Sequence, residues 1–159
     1  MNNINWRSPL AGVLLATLVV ACENPVSHEE DHAEPEGVLI RAGAAEVARI
    51  EGSGEAAVVT GALSVTAGGE SPVLTVSFID HDGHDVAFDP HEYGLDVQSA
   101  DSATAIWQGS VAGSFTGRVS GLSEGVTTLT FQLHHGAADS GHADGDPYVL
   151  PVTVTAIAP

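Results

Sequence analysis

From residue 57 onward, apolar and polar positions alternate along the chain in short runs that break on glycine, serine, aspartate or proline. AVVTGALSVTA, SPVLTVSFI, YGLDVQS, ATAIWQ, SFTGRVS, GVTTLTFQL and YVLPVTVTA are rich in valine, threonine, leucine and phenylalanine, which suit a pleated surface buried on one side. No window after residue 21 carries a helical period. Seven such runs at this spacing predict an all-β, antiparallel sandwich of immunoglobulin type over residues 57–159. Two further alternating runs, VLIRAG and EVARIE, predict a short N-terminal hairpin extension over residues 37–56, ending in a glycine-rich break at Gly52 and Gly54.

The first 36 residues have a different texture. Arg7 precedes an apolar stretch, LAGVLLATLVVA, that stops at Cys22; this is the layout of a secretory signal peptide over residues 1–21, too short and too poorly flanked to span a membrane. Val19-Val20-Ala21-Cys22 resembles a bacterial lipobox. The resemblance implies cleavage before Cys22, lipidation of its thiol and a membrane anchor in the bacterial envelope. Because Glu23 follows rather than aspartate, it also implies the outer membrane, on either its periplasmic or its surface face. Cys22 is the sole cysteine, so no internal disulfide can form. Residues 22–36, with ENPVSHEEDHAEPE after the cysteine, have almost no apolar content and read as an acidic, histidine-containing tether.

Charge narrows the partners. The chain has 159 residues, no lysine and a formal net charge of −17. All of its acidic residues follow Cys22, where Arg41, Arg49 and Arg118 are the remaining cations. Such a surface repels nucleic acid and anionic lipid and concentrates cations. Adaptation of a whole proteome to salt would produce the same balance.

A family resemblance is carried by LSVTAGGESPVLTVSFIDHDG, then LDVQSADSATA, then VSGLSEGVTTLTFQL. In this order they resemble the immunoglobulin-like repeats of intimin- and invasin-type bacterial surface proteins, over roughly residues 57–156. The resemblance implies a sandwich in which TVSFI, YGLDV, TTLTFQL and YVLPVTV are strands B, C, F and G. The chain departs from such repeats by carrying histidines in the connections after strand B and before strand G.

Those histidines are the candidate chemistry. With that strand assignment, the B–C and F–G connections leave the sandwich at one end. The first carries His81, His84 and His91, and the second His134, His135 and His142. Imidazole with carboxylate suits zinc, then copper(II), whereas one cysteine and no methionine beyond Met1 argue against a copper(I) site. Adjacent strand residues face opposite ways, so one of His134 and His135 is expected to face the site. The preferred ligands are His135, His142 and one of His81, His84 or His91, with Asp144 as a fourth ligand or orienting an imidazole. Asp80, Asp82 and Asp85 could form part of a calcium loop, but they lack the length and the bidentate glutamate of an EF-hand, and an Asp-Gly turn explains them more simply. HEEDH, at residues 28–32, matches a zinc-peptidase motif formally, yet it lies between two prolines without an apolar face to pack as a helix; His28 and His32 are instead accessory metal ligands on a collecting arm, or part of a plain spacer. Trp107 and Phe115 are expected on strands in the core, and Phe88 and Tyr93 in the core or walling the site.

These residues point to an envelope lipoprotein that captures a divalent metal and hands it on, to an importer or receptor. The alternative is a structural or adhesive surface module without metal. Catalysis is not expected, Glu92 and Asp144 being the only candidate bases. Neutral imidazole ligands imply binding that weakens as pH falls from about 6.5 toward 5.

Overall fold

The computed structural model describes residues 35–136 and 141–157. They form ten strands: β1 (Gly37–Ala42), β2 (Ala45–Glu51), β3 (Val58–Gly61), β4 (Leu63–Thr66), β5 (Leu74–Ile79), β6 (Tyr93–Ser99), β7 (Ala105–Gly109), β8 (Thr116–Gly121), β9 (Gly125–His135) and β10 (His142–Thr155). One sheet has the order β3-β2-β1-β5-β8-β7 and the other β4-β10-β9-β6. Pairing is antiparallel throughout except between β10 and β4. This is the expected β-sandwich, and each of the seven alternating runs contributes to it.

Period-two alternation produces the core directly. Leu129, Phe131 and Leu133 of β9 and Tyr148, Leu150, Val152 and Val154 of β10 turn inward, meeting Val38, Ile40, Ile50, Leu74, Val76, Phe78 and Val119 from the facing sheet. Phe78 is the hub. It packs edge-on against Phe88, Phe115 and Tyr148 at ring separations of 5.8, 6.3 and 5.9 Å, the geometry that aromatic quadrupoles favour. Trp107 lies on β7 and packs on Phe131 at 6.0 Å, as expected. Phe115 is in the core but sits one residue before β8.

Three features differ from the sequence reading. The β1–β2 hairpin forms, but it is not peripheral: β1 pairs with β5 along its whole length, from Gly37↔Ile79 to Ala42↔Leu74, and its Val38 and Ile40 are fully buried. AVVTGALSVTA is two strands in two sheets. β3 joins β2 while β4 joins β10, and the chain crosses at Gly61, where φ is +82° and a Cβ would run into the Val47 carbonyl. Finally, β10 begins at His142, six residues before the expected Tyr148. The β9–β10 ladder extends past an irregularity between Asp144 and Tyr148, so Asp144 pairs with Leu133 and His142 with His135. The F–G histidines therefore sit on strands rather than in a loop.

Candidate functional site

β6, β9 and β10 run side by side, and at their shared end Tyr93, His135 and His142 occupy one row, His135 being paired with both of the others. Directly opposed residues on neighbouring strands project to the same face. The rings accordingly meet. Tyr93 stacks on His135 with centroids 4.6 Å apart and planes at 13°, and His142 lies 5.5 Å from His135 at 63°. One row inward, Leu95 and Asp144 flank Leu133, so Asp144 shares this inward face and is 5 % exposed. His134 is opposite Gly94 and Ala143 and projects to the other face, as period two requires.

Two imidazoles at this spacing can share an ion. With zinc–nitrogen bonds of about 2.0–2.1 Å at tetrahedral angles, ring centres should lie about 5 Å apart. The 5.5 Å separation of the ring centres is close to that distance. Among the described residues, however, no group of three or more histidine, cysteine or carboxylate side chains is gathered around one such point.

The B–C histidines go elsewhere. After β5 the chain turns at 80–83 and folds back on itself, with the Val86 N–H donating to the Phe78 carbonyl. The Asp80 carboxylate accepts the backbone N–H groups of His84, at 2.9 Å, and Asp82, at 3.0 Å. These bonds, His84's first, hold Asp80 below its ordinary value. Asp85 receives both terminal nitrogens of Arg41, at 2.9 and 3.0 Å. Two of the three carboxylates considered for calcium thus serve a turn and an ion pair. His81 and His84 are largely in solvent at that turn, with side chains 70 % and 79 % exposed.

His91 follows a second turn, its N–H donating to Asp89. It joins His134, Tyr93, Asp96 and Trp107 around a cleft of about 530 Å³ at the outer edge of β6, where the Leu95 N–H donates to the Gly113 carbonyl. Phe88 and Tyr93 pack together at 5.0 Å on the core side, so both belong to the core while Tyr93 also walls the His135 ring. Glu92 is exposed. Cys22, His28 and His32 lie outside the described residues.

A further cleft of about 590 Å³ was not visible in the sequence. Pro35, Glu36, Ser53, Asp144, Asp146 and Tyr148 line it. The Tyr148 hydroxyl donates to the Pro35 carbonyl. Burial, reinforced by the negative charges of Asp146 and Glu36, pushes the phenol up to about 12. Only an unremarkable proline and tyrosine, 113 positions apart, mark this contact in the sequence.

No family model matches the chain, and no curated protein matches it. The intimin- and invasin-type resemblance thus remains one of sequence motifs. Solved structures of an S-layer protein are similar in part. Domains 5–6 of SbsC share 23 % identity over 69 % of this chain, with a TM-score of 0.45, and domains 4 and 5 share 21 % over 76 %, with a TM-score of 0.42. The chain spans 46 % of the first of these and 66 % of the second. Likeness at this level carries no argument about what the chain binds or where it acts.

Proposed function

We propose that the chain binds a divalent transition metal, zinc first and copper(II) second, at the inward-facing end of β9 and β10. His135 and His142 act as the imidazole pair and Asp144 is a ligand or an orienting carboxylate. The observation that supports this reading is the ring separation of 5.5 Å between histidines in directly opposed ladder positions. Neighbouring strands hold both backbones, so the pair is preorganised and little side-chain entropy is lost on binding. The surrounding negative charge raises the local cation concentration. The role is binding rather than catalysis: an envelope lipoprotein, anchored through Cys22, that captures the metal and delivers it to an importer or receptor.

The test is zinc titration of the detergent-solubilised full chain against a chromophoric chelator, beside the His135→Ala/His142→Ala double variant. The expected result is one zinc per chain, bound more tightly at neutral than at mildly acid pH, because protons compete for imidazole, and lost in the double variant. Equal zinc affinity in both proteins would refute the site. An absence of zinc and copper(II) binding in the unaltered chain would favour the structural or adhesive module.

A further inference from the structure

β6 is the outermost strand of one sheet and β7 of the other, and the two lie together on one side of the sandwich. Residues of both, with the 111–114 segment, wall the cleft of about 530 Å³ that also takes in His91 and His134. Its volume falls inside the range of about 300–1,000 Å³ usual for small-molecule sites. Glycine makes the room. Gly94, Gly109, Gly113 and Gly136 all stand in the wall; a Cβ on Gly94 would lie 3.4 Å from Gly113 Cα, and one on Gly109 would lie 3.0 Å from the Val111 carbonyl oxygen. Gly109 also leaves the Trp107 indole nitrogen uncovered, since a Cβ there would sit 3.5 Å from it. His134 is opposed in the ladder by Gly94, which puts no side chain beside its imidazole.

We propose that this cleft binds a neutral saccharide of one or two rings. Among the described residues no group takes up the Trp107 N–H or the imidazole nitrogens of His91 and His134, and Asp96 accepts the Gln98 amide at 2.8 Å on one carboxylate oxygen, with the second unengaged. Sugar hydroxyls donate and accept at once, and the wall supplies both functions. The indole N–H donates, the carboxylate accepts, and a neutral imidazole does each with a different nitrogen. The exposed part of the half-buried Trp107 ring supplies an apolar surface for the C–H face of a sugar. Other small-ligand classes fit less well. Asp96 lines the cleft and no arginine does, in a chain of net charge −17 without lysine, so a phosphate or carboxylate is repelled. A wholly apolar ligand would strip water from these polar groups and leave each unsatisfied. The site is separate from the His135/His142 pair, because His134 projects to the opposite face of β9, and it does not rest on the metal-binding reading.

The experiment titrates the full chain, solubilised in a polyoxyethylene detergent that carries no sugar headgroup, with cellobiose, maltose, lactose and N,N′-diacetylchitobiose, and separately with choline. Calorimetry reads affinity, and the Trp107 indole N–H resonance reads place. At least one of the disaccharides should bind and shift that resonance. Asp96→Asn should weaken it by about tenfold or more, as a hydrogen bond to a charged group does, and His134→Ala by about 2- to 12-fold. Both residues are outside the core, so thermal midpoints should match that of the unaltered chain. Three results overturn the inference: no binding by any of the four disaccharides, binding that neither variant weakens and that leaves the Trp107 resonance in place, or choline bound more tightly than every sugar, which would make the cleft a cation site.

Discussion

Gly117 tests the packing of the sandwich at one atom. It is buried on β8, opposite Gly109 of β7, and Trp107 lies across it. A Cβ at this position would meet Trp107 Cζ2 at 2.5 Å, the Gln108 carbonyl oxygen at 2.6 Å and Trp107 Cε2 at 2.6 Å. Ordinary contacts begin near 3.5 Å, so a shift of about 1 Å is needed. The carbonyl belongs to the β7–β8 ladder and the indole is rigid and packed on Phe131. Neither can yield cheaply, which puts Gly117→Ala in the upper part of the overpacking range, about 2–3 kcal/mol. For a domain of this size that is a fall in Tm of roughly 10 °C. Gly43→Ala is the counterpart: Gly43 has nothing within 4 Å of the added carbon but a φ of +60°, so it should lose about 1 kcal/mol from backbone strain alone. The assay is urea unfolding followed by tryptophan emission. Trp107 is the only tryptophan of the described residues, so Gly117→Ala should also change the folded-state emission, whereas Gly43→Ala should not. A loss under about 0.5 kcal/mol in Gly117→Ala, with unaltered emission, would refute the reasoning.

Tyr148 should set an alkaline limit on stability. Its folded value is raised from 10.0 to about 12, so the folded state holds its proton longer than the unfolded one. The stabilisation is complete below pH 10 and is lost as pH rises toward 12. Tyr148→Phe should abolish that decline and cost about 0.5–1.5 kcal/mol at neutral pH through the missing bond to Pro35; an unchanged alkaline melting profile would contradict this. At the acid end Asp101 is held below its ordinary value, first by the Thr104 hydroxyl and then by the N–H groups of Ala103 and Thr104. Its contribution is present above the ordinary carboxylate value and disappears as pH falls through the lowered one. Thermal midpoints of Asp101→Asn and the unaltered chain should converge on acidification; a constant gap would count against the hydrogen-bond account.

Alternation made most of the fold legible. β6 begins and ends where YGLDVQS does, and the inward residues of β9 and β10 are those that the period of two selects. The same period separated His134 from His135 correctly. The site was less accessible. Aspartate, glycine and proline between Asp144 and Pro147 read as loop residues, because a ladder that resumes beyond an irregularity has no distinctive local composition. The turn at Asp80, by contrast, announced itself through Asp-Gly, and it forms with the Asp80 carboxylate accepting the N–H groups of Asp82 and His84.

Local chemistry and periodicity thus determined the strands, the buried faces, the acidic surface and the residue types able to hold a metal, since each depends on neighbours within a few positions. Tertiary structure decided which of those residues meet. Six histidines share one end of the topology, yet His135 and His142 come into ring contact because the β9–β10 register opposes them, while His81 and His84 are carried off by a turn over the other sheet and His91 lies beside the outer edge of β6. β1 became an interior strand for the same kind of reason: β5, nearly forty residues along the chain, pairs the backbone edge that β2 leaves open, and Val38 and Ile40 are buried in the core between the two sheets. Register and long-range pairing are properties of whole strands competing for partners, and no short stretch of sequence contains them.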